Sequence, residues 1–82
     1  MPDDRQIIQH IDQLVDEEHT LERARGEGRS LSADERARLQ ALEVQLDQLW
    51  DLLRQRRARR AAGLDPDGAE ERDASTVERY RQ

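Results

Sequence analysis

Two stretches of the chain carry side chains that could do chemistry. Asp16-Glu17-Glu18-His19 sets a carboxylate and an imidazole three residues apart. On a helix that spacing is half of a carboxylate-bridged di-metal site, and two-helix chains can complete such sites across a dimer. The only partners at a matching height further along are Glu43 and Asp47, with no second motif. Asp16 and His19 also fall beside the apolar face of their helix, not on its centre. The pattern therefore reads first as a solvated acidic face. A metal-binding bundle using Asp16, His19, Glu43 and Asp47 stands as an alternative, and no metal ligand is assigned. The second stretch is Arg54-Gln55-Arg56-Arg57-Ala58-Arg59-Arg60, five arginines without one acid. Such a block can hold phosphate, so Arg54, Arg56, Arg57, Arg59 and Arg60 are the candidate anion-binding residues. On a helix, however, these five spread around the circumference. Basic residues near a helix C-terminus also complement its dipole. Asp3, Asp4, Asp51 and Asp65 are near enough in sequence or expected fold to neutralise some of them. A structural role is the favoured reading, and a small nucleic-acid-associated regulator is the alternative.

Other chemistries have less to build on. The chain has no cysteine, which excludes disulfides, thiolate catalysis and cysteine-based metal sites. No Ser/His/Asp set has a strand–turn–helix setting, and Gly26 and Gly28 belong to a helical turn, not a phosphate loop. His10 is expected on a polar surface. Two aromatic residues, Trp50 and Tyr80, make no stacking platform for single-stranded nucleic acid. All fourteen basic residues are arginine, which reflects codon composition more than function. No enzymatic activity and no cofactor are expected.

The elements that must position these groups are helices. Leu39, Leu42, Leu46, Leu49 and Leu53 recur in steps of three and four, the a/d seam of a packed helix. Ser32-Ala33-Asp34-Glu35 is a capping box that opens this helix, predicted over 33–62 and closed by Gly63 at C′ with Leu64 as its apolar contact. An earlier helix is predicted over 3–25, with Asp3 and Asp4 at its positive end. Its apolar face is Ile7, Ile8, Ile11, Leu14, Val15 and Leu21. Residues 26–32 form the loop, and its shortness makes the two helices antiparallel neighbours. That pairing sets Ile8 near Leu49, Ile11 near Leu46 and Val15 near Leu42. Residues 1–64 are then one hairpin, and 65–82 a mostly irregular tail. Asp65-Pro66 can open a short helix in that tail, with Asp65 as cap and Pro66 at the first position, so one or two helical turns are expected there, and Val77 and Tyr80 are its apolar anchors. The tail carries −3 and the arginine block +5, so the tail is expected to dock near Trp50 and the arginines.

An 82-residue chain with 34% hydrophobic residues has little core to spend, and two helices cannot enclose one. Around Leu49, Trp50, Leu52 and Leu53 the apolar stripe is wider than one partner helix needs. The expectation is an all-α hairpin that dimerises into a four-helix bundle, with Ile8, Ile11, Val15, Leu39, Leu42, Leu46, Leu49, Trp50 and Leu53 as its seam. No apolar run approaches a signal-peptide core or a membrane span, so a cytoplasmic location is expected.

Arg56-Arg57-Ala58, then Gly63, Asp65-Pro66 and a terminal Val77-Glu78-Arg79-Tyr80, resemble a family of short actinobacterial proteins of unknown function. The resemblance spans nearly the whole chain. It implies a small helical cytoplasmic protein and supplies no activity, cofactor or partner. Together these readings point to a non-enzymatic structural or protein-interaction module that forms a homo-oligomer and has room for an unidentified protein partner. Nucleic acid is the less favoured partner, and no membrane is expected.

Overall fold

The computed structural model describes the backbone of residues 3–80 and the side chains of residues 3–77. The described residues are helical or loop, with no strand. Two long helices begin at reciprocal caps. Asp3 opens α1 (Asp4–Gly26): its carboxylate accepts from the Gln6 N–H at 2.9 Å, and the Gln6 side-chain oxygen accepts from the Asp3 N–H at 3.0 Å. Ser32 opens α2 (Ala33–Ala61) in the same way, through Glu35, at 3.1 and 2.9 Å. Both helices end on a glycine with positive φ, Gly28 at 84° and Gly63 at 75°. Each glycine N–H reaches back to a carbonyl three residues earlier, and the residue after it to one five earlier. These are Gly28 to Arg25 and Arg29 to Ala24, then Gly63 to Arg60 and Leu64 to Arg59. A non-glycine residue at either position would be strained.

The helices lie antiparallel, and their shared core holds Ile7, Ile11, Leu14, Leu42, Leu46, Leu49, Leu52, Leu53 and Ala69. Leu39 is buried too, and Val15 and Leu21 are half-buried at the edge of the core. The leucine ladder of α2 therefore faces α1. Two residues assigned to the seam from spacing lie outside the core of the single chain: Ile8 is 42% exposed and Trp50 44%. Ile7 takes the inward place instead of Ile8: α2 covers the stripe of Ile7, Ile11 and Leu14, and leaves at its edge the neighbouring stripe, about 100° further round at Ile8, in which Val15 is half-buried. Trp50 is displaced for the same reason, since Leu46, Leu49 and Leu53 already fill the side of α2 that meets α1. Leu64 is 53% exposed, so the glycine cap forms without the apolar contact expected of it.

The tail has the Asp65-capped helical start expected of it and is more regular overall than expected. Asp65 caps a 3-10 turn over Pro66–Gly68, its carboxylate accepting from the Asp67 N–H at 2.9 Å. A seven-residue helix α3 (Ala74–Tyr80) follows. Both pack on α2. Ala69 and Val77 are buried and hold the tail down. Val77 thus serves as the expected anchor; the burial expected for the Tyr80 ring lies outside the described residues. The molecule is a rod of 50 × 25 × 18 Å.

Candidate interaction surface

Three sides of α2 can be told apart by what they meet. The first, Leu42, Leu46, Leu49 and Leu53, meets α1. The second, Gln48, Asp51, Leu52, Gln55 and Arg59, meets the tail. It is built from polar groups that catch backbone. The Gln48 amide donates to the Arg72 carbonyl at 3.3 Å. The Gln55 amide donates to the Glu70 carbonyl at 2.7 Å and to the Asp51 carboxylate at 2.9 Å. Asp51 is 5% exposed, and Arg72 pairs with it at 3.1 Å. The Arg59 guanidinium donates to the Asp65 carbonyl at 2.6 Å. Every buried side-chain nitrogen and oxygen among the described residues has a partner, so the tail leaves no buried polar group of this face unsatisfied.

The arginine block is largely spent on that closure. Arg56 is 4% exposed and reaches Asp4 at the start of α1, Asp67 at 3.0 Å and the Pro66 carbonyl at 3.3 Å. Arg60 also pairs with Asp4, donating through both terminal nitrogens. These two arginines, Arg60 first, hold the Asp4 carboxyl down at about 2. One network therefore ties the start of α1, the end of α2 and the 3-10 turn. Arg54 stays exposed, 3.9 Å from Asp51. Arg57 is exposed and makes no ion pair among the described residues. The five arginines do not form one anion-binding surface. Asp4 and Asp51 act as the neutralising acids expected of them; Asp67 was not anticipated. The signal available for it was the Asp65-Pro66 turn itself, which folds the next carboxylate back over the last turns of α2.

The acidic residues converge differently from the expectation. Asp16 and His19 are exposed on α1. The carboxylates that meet across the hairpin belong to Glu18, Glu22 and Glu43, with oxygens all within 4.8 Å of one another. Burial, then Glu22 and Glu43, push the Glu18 carboxyl above its ordinary range. Further from the loop, a cleft of about 200 Å³ opens on the other side of the seam, between Gln6, His10, Gln45, Gln48 and Glu71. Arg38 pairs with Glu17 across the hairpin and holds the Glu17 carboxyl low.

The third side of α2 is left uncovered by the tail and borders α1 at its Glu43 end. Glu43, Trp50 and Arg57 follow one another at seven-residue intervals along it, and all three are exposed. Ile8 belongs to the same side of the molecule. It lies across α1 from Gln6 and His10, which line the cleft, just as Trp50 lies across α2 from Gln45 and Gln48. The pairs Asp4–Arg56 and Glu17–Arg38 fix the antiparallel register and bring Ile8 level with the Trp50 turn.

A family profile described as a protein of unknown function, DUF2630, matches residues 3–82. The chain belongs to the DUF2630 family. Uncharacterized proteins of Mycobacterium bovis and of two strains of Mycobacterium tuberculosis are each 44% identical to it over 79 residues, covering 96% of this chain and 91% of theirs. No solved structure matches. DUF2630 membership thus agrees with the resemblance read from the arginine block and the tail, and it carries no activity with it. No helix among the described residues is long and apolar enough to cross a membrane.

Proposed function

We propose that this chain is a non-enzymatic interaction module of the cytoplasm that works by laying the open side of its hairpin against another helical surface, in the first place a second copy of itself. The observation that carries this reading is the exposure of Ile8 and Trp50 at one level of the rod, while the opposite face of α2 is sealed by the tail. A tryptophan left in water forgoes one of the larger apolar contributions a side chain can make, about 1.5–3 kcal/mol for side chains of comparable size. The small core supplies the motive, because pairing two hairpins encloses apolar surface that neither can enclose alone.

The arginine block favours this reading over nucleic-acid binding. Arg56, Arg59 and Arg60 are committed to Asp4, Asp67 and the Asp65 carbonyl, which leaves Arg54 and Arg57 as the outward cations. Two cations make a small phosphate footprint. Light scattering over a micromolar concentration series, with Trp50 emission recorded in parallel, tests the proposal. The expected result is a mass of two chains with emission shifting to the blue as concentration rises. A constant mass of one chain with water-like emission throughout would overturn it. Binding to DNA or RNA that weakens steeply with salt would move the assignment to the arginines instead.

A further inference from the structure

The open side of α2 also has a charge pattern, and the pattern selects one way of pairing. Glu43, Trp50 and Arg57 stand on one helical column, each seven residues from the next. At 1.5 Å per residue, Trp50 is about 10 Å from each of its two charged neighbours. The column is thus an acid, an aromatic and a base at equal spacing. The acidic end is crowded: the Glu43 carboxylate lies within 4.8 Å of those of Glu18 and Glu22 on α1. The basic end holds Arg57, which has no ion pair among the described residues, beside Arg54, whose nearest carboxylate is 3.9 Å away. An acidic patch short of cations and a basic patch short of anions flank an exposed apolar centre formed by Trp50 and Ile8.

A surface of that kind is complementary to itself under one operation. A two-fold axis through the Trp50 level, perpendicular to α2, sets the two copies of α2 antiparallel. Each Trp50 then lies against the partner's Trp50 and Ile8 region. Each Arg57 lies opposite the Glu43 of the other copy, because both are the same distance from the axis. A parallel pairing would set Glu43 against Glu43 and Arg57 against Arg57, which repel. We infer that the open side of α2 is a two-fold interface with a second copy of this chain, centred on Trp50, in which Arg57 of each copy neutralises the Glu18–Glu22–Glu43 group of the other. The result is a four-helix arrangement in which the two α2 helices are the central pair and the tails lie outside. The inference rests on the self-association proposed above and adds its surface, register and orientation.

Charge exchange on the full chain separates the register from self-association itself. Each contact occurs twice in a two-fold dimer, so Glu43→Arg or Arg57→Glu alone places like charges together at two sites. Each single variant is expected to dissociate at roughly 10-fold or higher protein concentration than the wild type, by sedimentation equilibrium at low salt. Neither change touches the core, and Glu43→Arg relieves crowding inside the chain, so both variants are expected to stay helical by circular dichroism. An equimolar mixture of the two should recover wild-type affinity as a mixed dimer, since every contact then joins opposite charges. The double variant should recover it on its own. Recovery in both cases supports the antiparallel register. A dimer that persists unchanged in both single variants would overturn this interface and leave self-association standing. A parallel register would reveal itself by failure of the double variant to tighten its own association. A wild-type chain that stays single at every concentration would overturn the register and the proposed function together.

Discussion

The two faces of α2 on either side of its leucine seam, one covered by the tail and one open, differ in how they are satisfied. The tail-covered face is dense with polar groups, yet every buried one among the described residues is paired within the chain. Asp51 and Arg56 are buried there, and Gln48, Gln55, Arg59 and Arg72 bind backbone or each other's neighbours across the gap. The open face carries one large aromatic, Trp50, that stays 44% exposed, and an arginine, Arg57, with no ion pair among the described residues. The closed face shows that a short tail, described over residues 65–77, can cover one side of a long helix when charge and backbone are matched to it. The open face is the side of α2 that the tail does not reach. In a protein this short, one helix serves both as core and as surface, and the difference lies in which column of side chains the tail reaches.

The largest expected effect falls on the closed face. Arg56→Ala removes the centre of the network and leaves Asp67 without its partner, while Asp4 keeps only Arg60. Urea unfolding should show a loss of about 3 kcal/mol, the low end of the range for breaking a buried ion pair, because Asp4 and Asp67 still reach water. An unchanged midpoint would mean that the network does not hold the ends of α1 and α2 together. Val77→Ala should cost about 1–2 kcal/mol through lost burial and should expose residues 65–80 to proteolysis before the hairpin opens. If the tail resists cleavage as before, Ala69 and the polar contacts suffice to hold it.

Acid should act on the same network with a smaller effect. The folded-state Asp4 carboxyl is held at about 2, against an ordinary 3.8, by Arg60 and then Arg56. A depressed carboxyl stabilises the fold fully above its unfolded value and loses that contribution as pH falls towards its folded one. Stability should therefore decline between about pH 4 and pH 2. Because the Asp4 side chain is about a third exposed, solvent screening limits the loss to about 1 kcal/mol. Asp4→Asn should flatten that part of the profile; a decline of the same size in Asp4→Asn would assign it to other carboxylates. On the open face the effect on the single chain should be no larger. Trp50→Ser should cost the dilute chain about 1 kcal/mol, well below a core deletion, since 44% of the residue is already in water there. A loss of several kcal/mol would place Trp50 in the core after all.

What could be read from the residues followed the range of the interactions. The caps at Ser32 and Gly63 depend on neighbours three to five residues away, and they form with the residues the sequence named. The leucine ladder is a local period and likewise faces α1. Asp3 was legible only as a favourable charge at a helix start, although Gln6 three residues on completes a capping box there. Ile7 against Ile8 was not decidable from spacing, since neighbouring residues both border a broad apolar face and only the partner's position selects one. Trp50 fails as a core residue for the same reason. The tail docks on α2 by Val77 as expected, but on the side away from Trp50. The extent of its order was not legible because it comes from contacts such as Gln48 with the Arg72 carbonyl and Gln55 with the Glu70 carbonyl, which link positions 24 and 15 residues apart. No short-range pattern announces a side-chain amide that will meet a distant backbone. Asp16 and His19 lie on the solvated acidic face expected of them, whereas the meeting of Glu18, Glu22 and Glu43 depends on the hairpin's register, which no local spacing shows.

The most direct test of the account is sedimentation equilibrium of the wild-type chain and of Trp50→Ser, side by side, from sub-micromolar to high micromolar concentration at low salt. The wild type should pass from one chain to two as concentration rises, while Trp50→Ser, equally helical, should remain a single chain over the same range. A wild-type chain that never exceeds one copy, or a Trp50→Ser variant that dimerises as readily as the wild type, would contradict the claim that the open side of α2 is where this protein does its work.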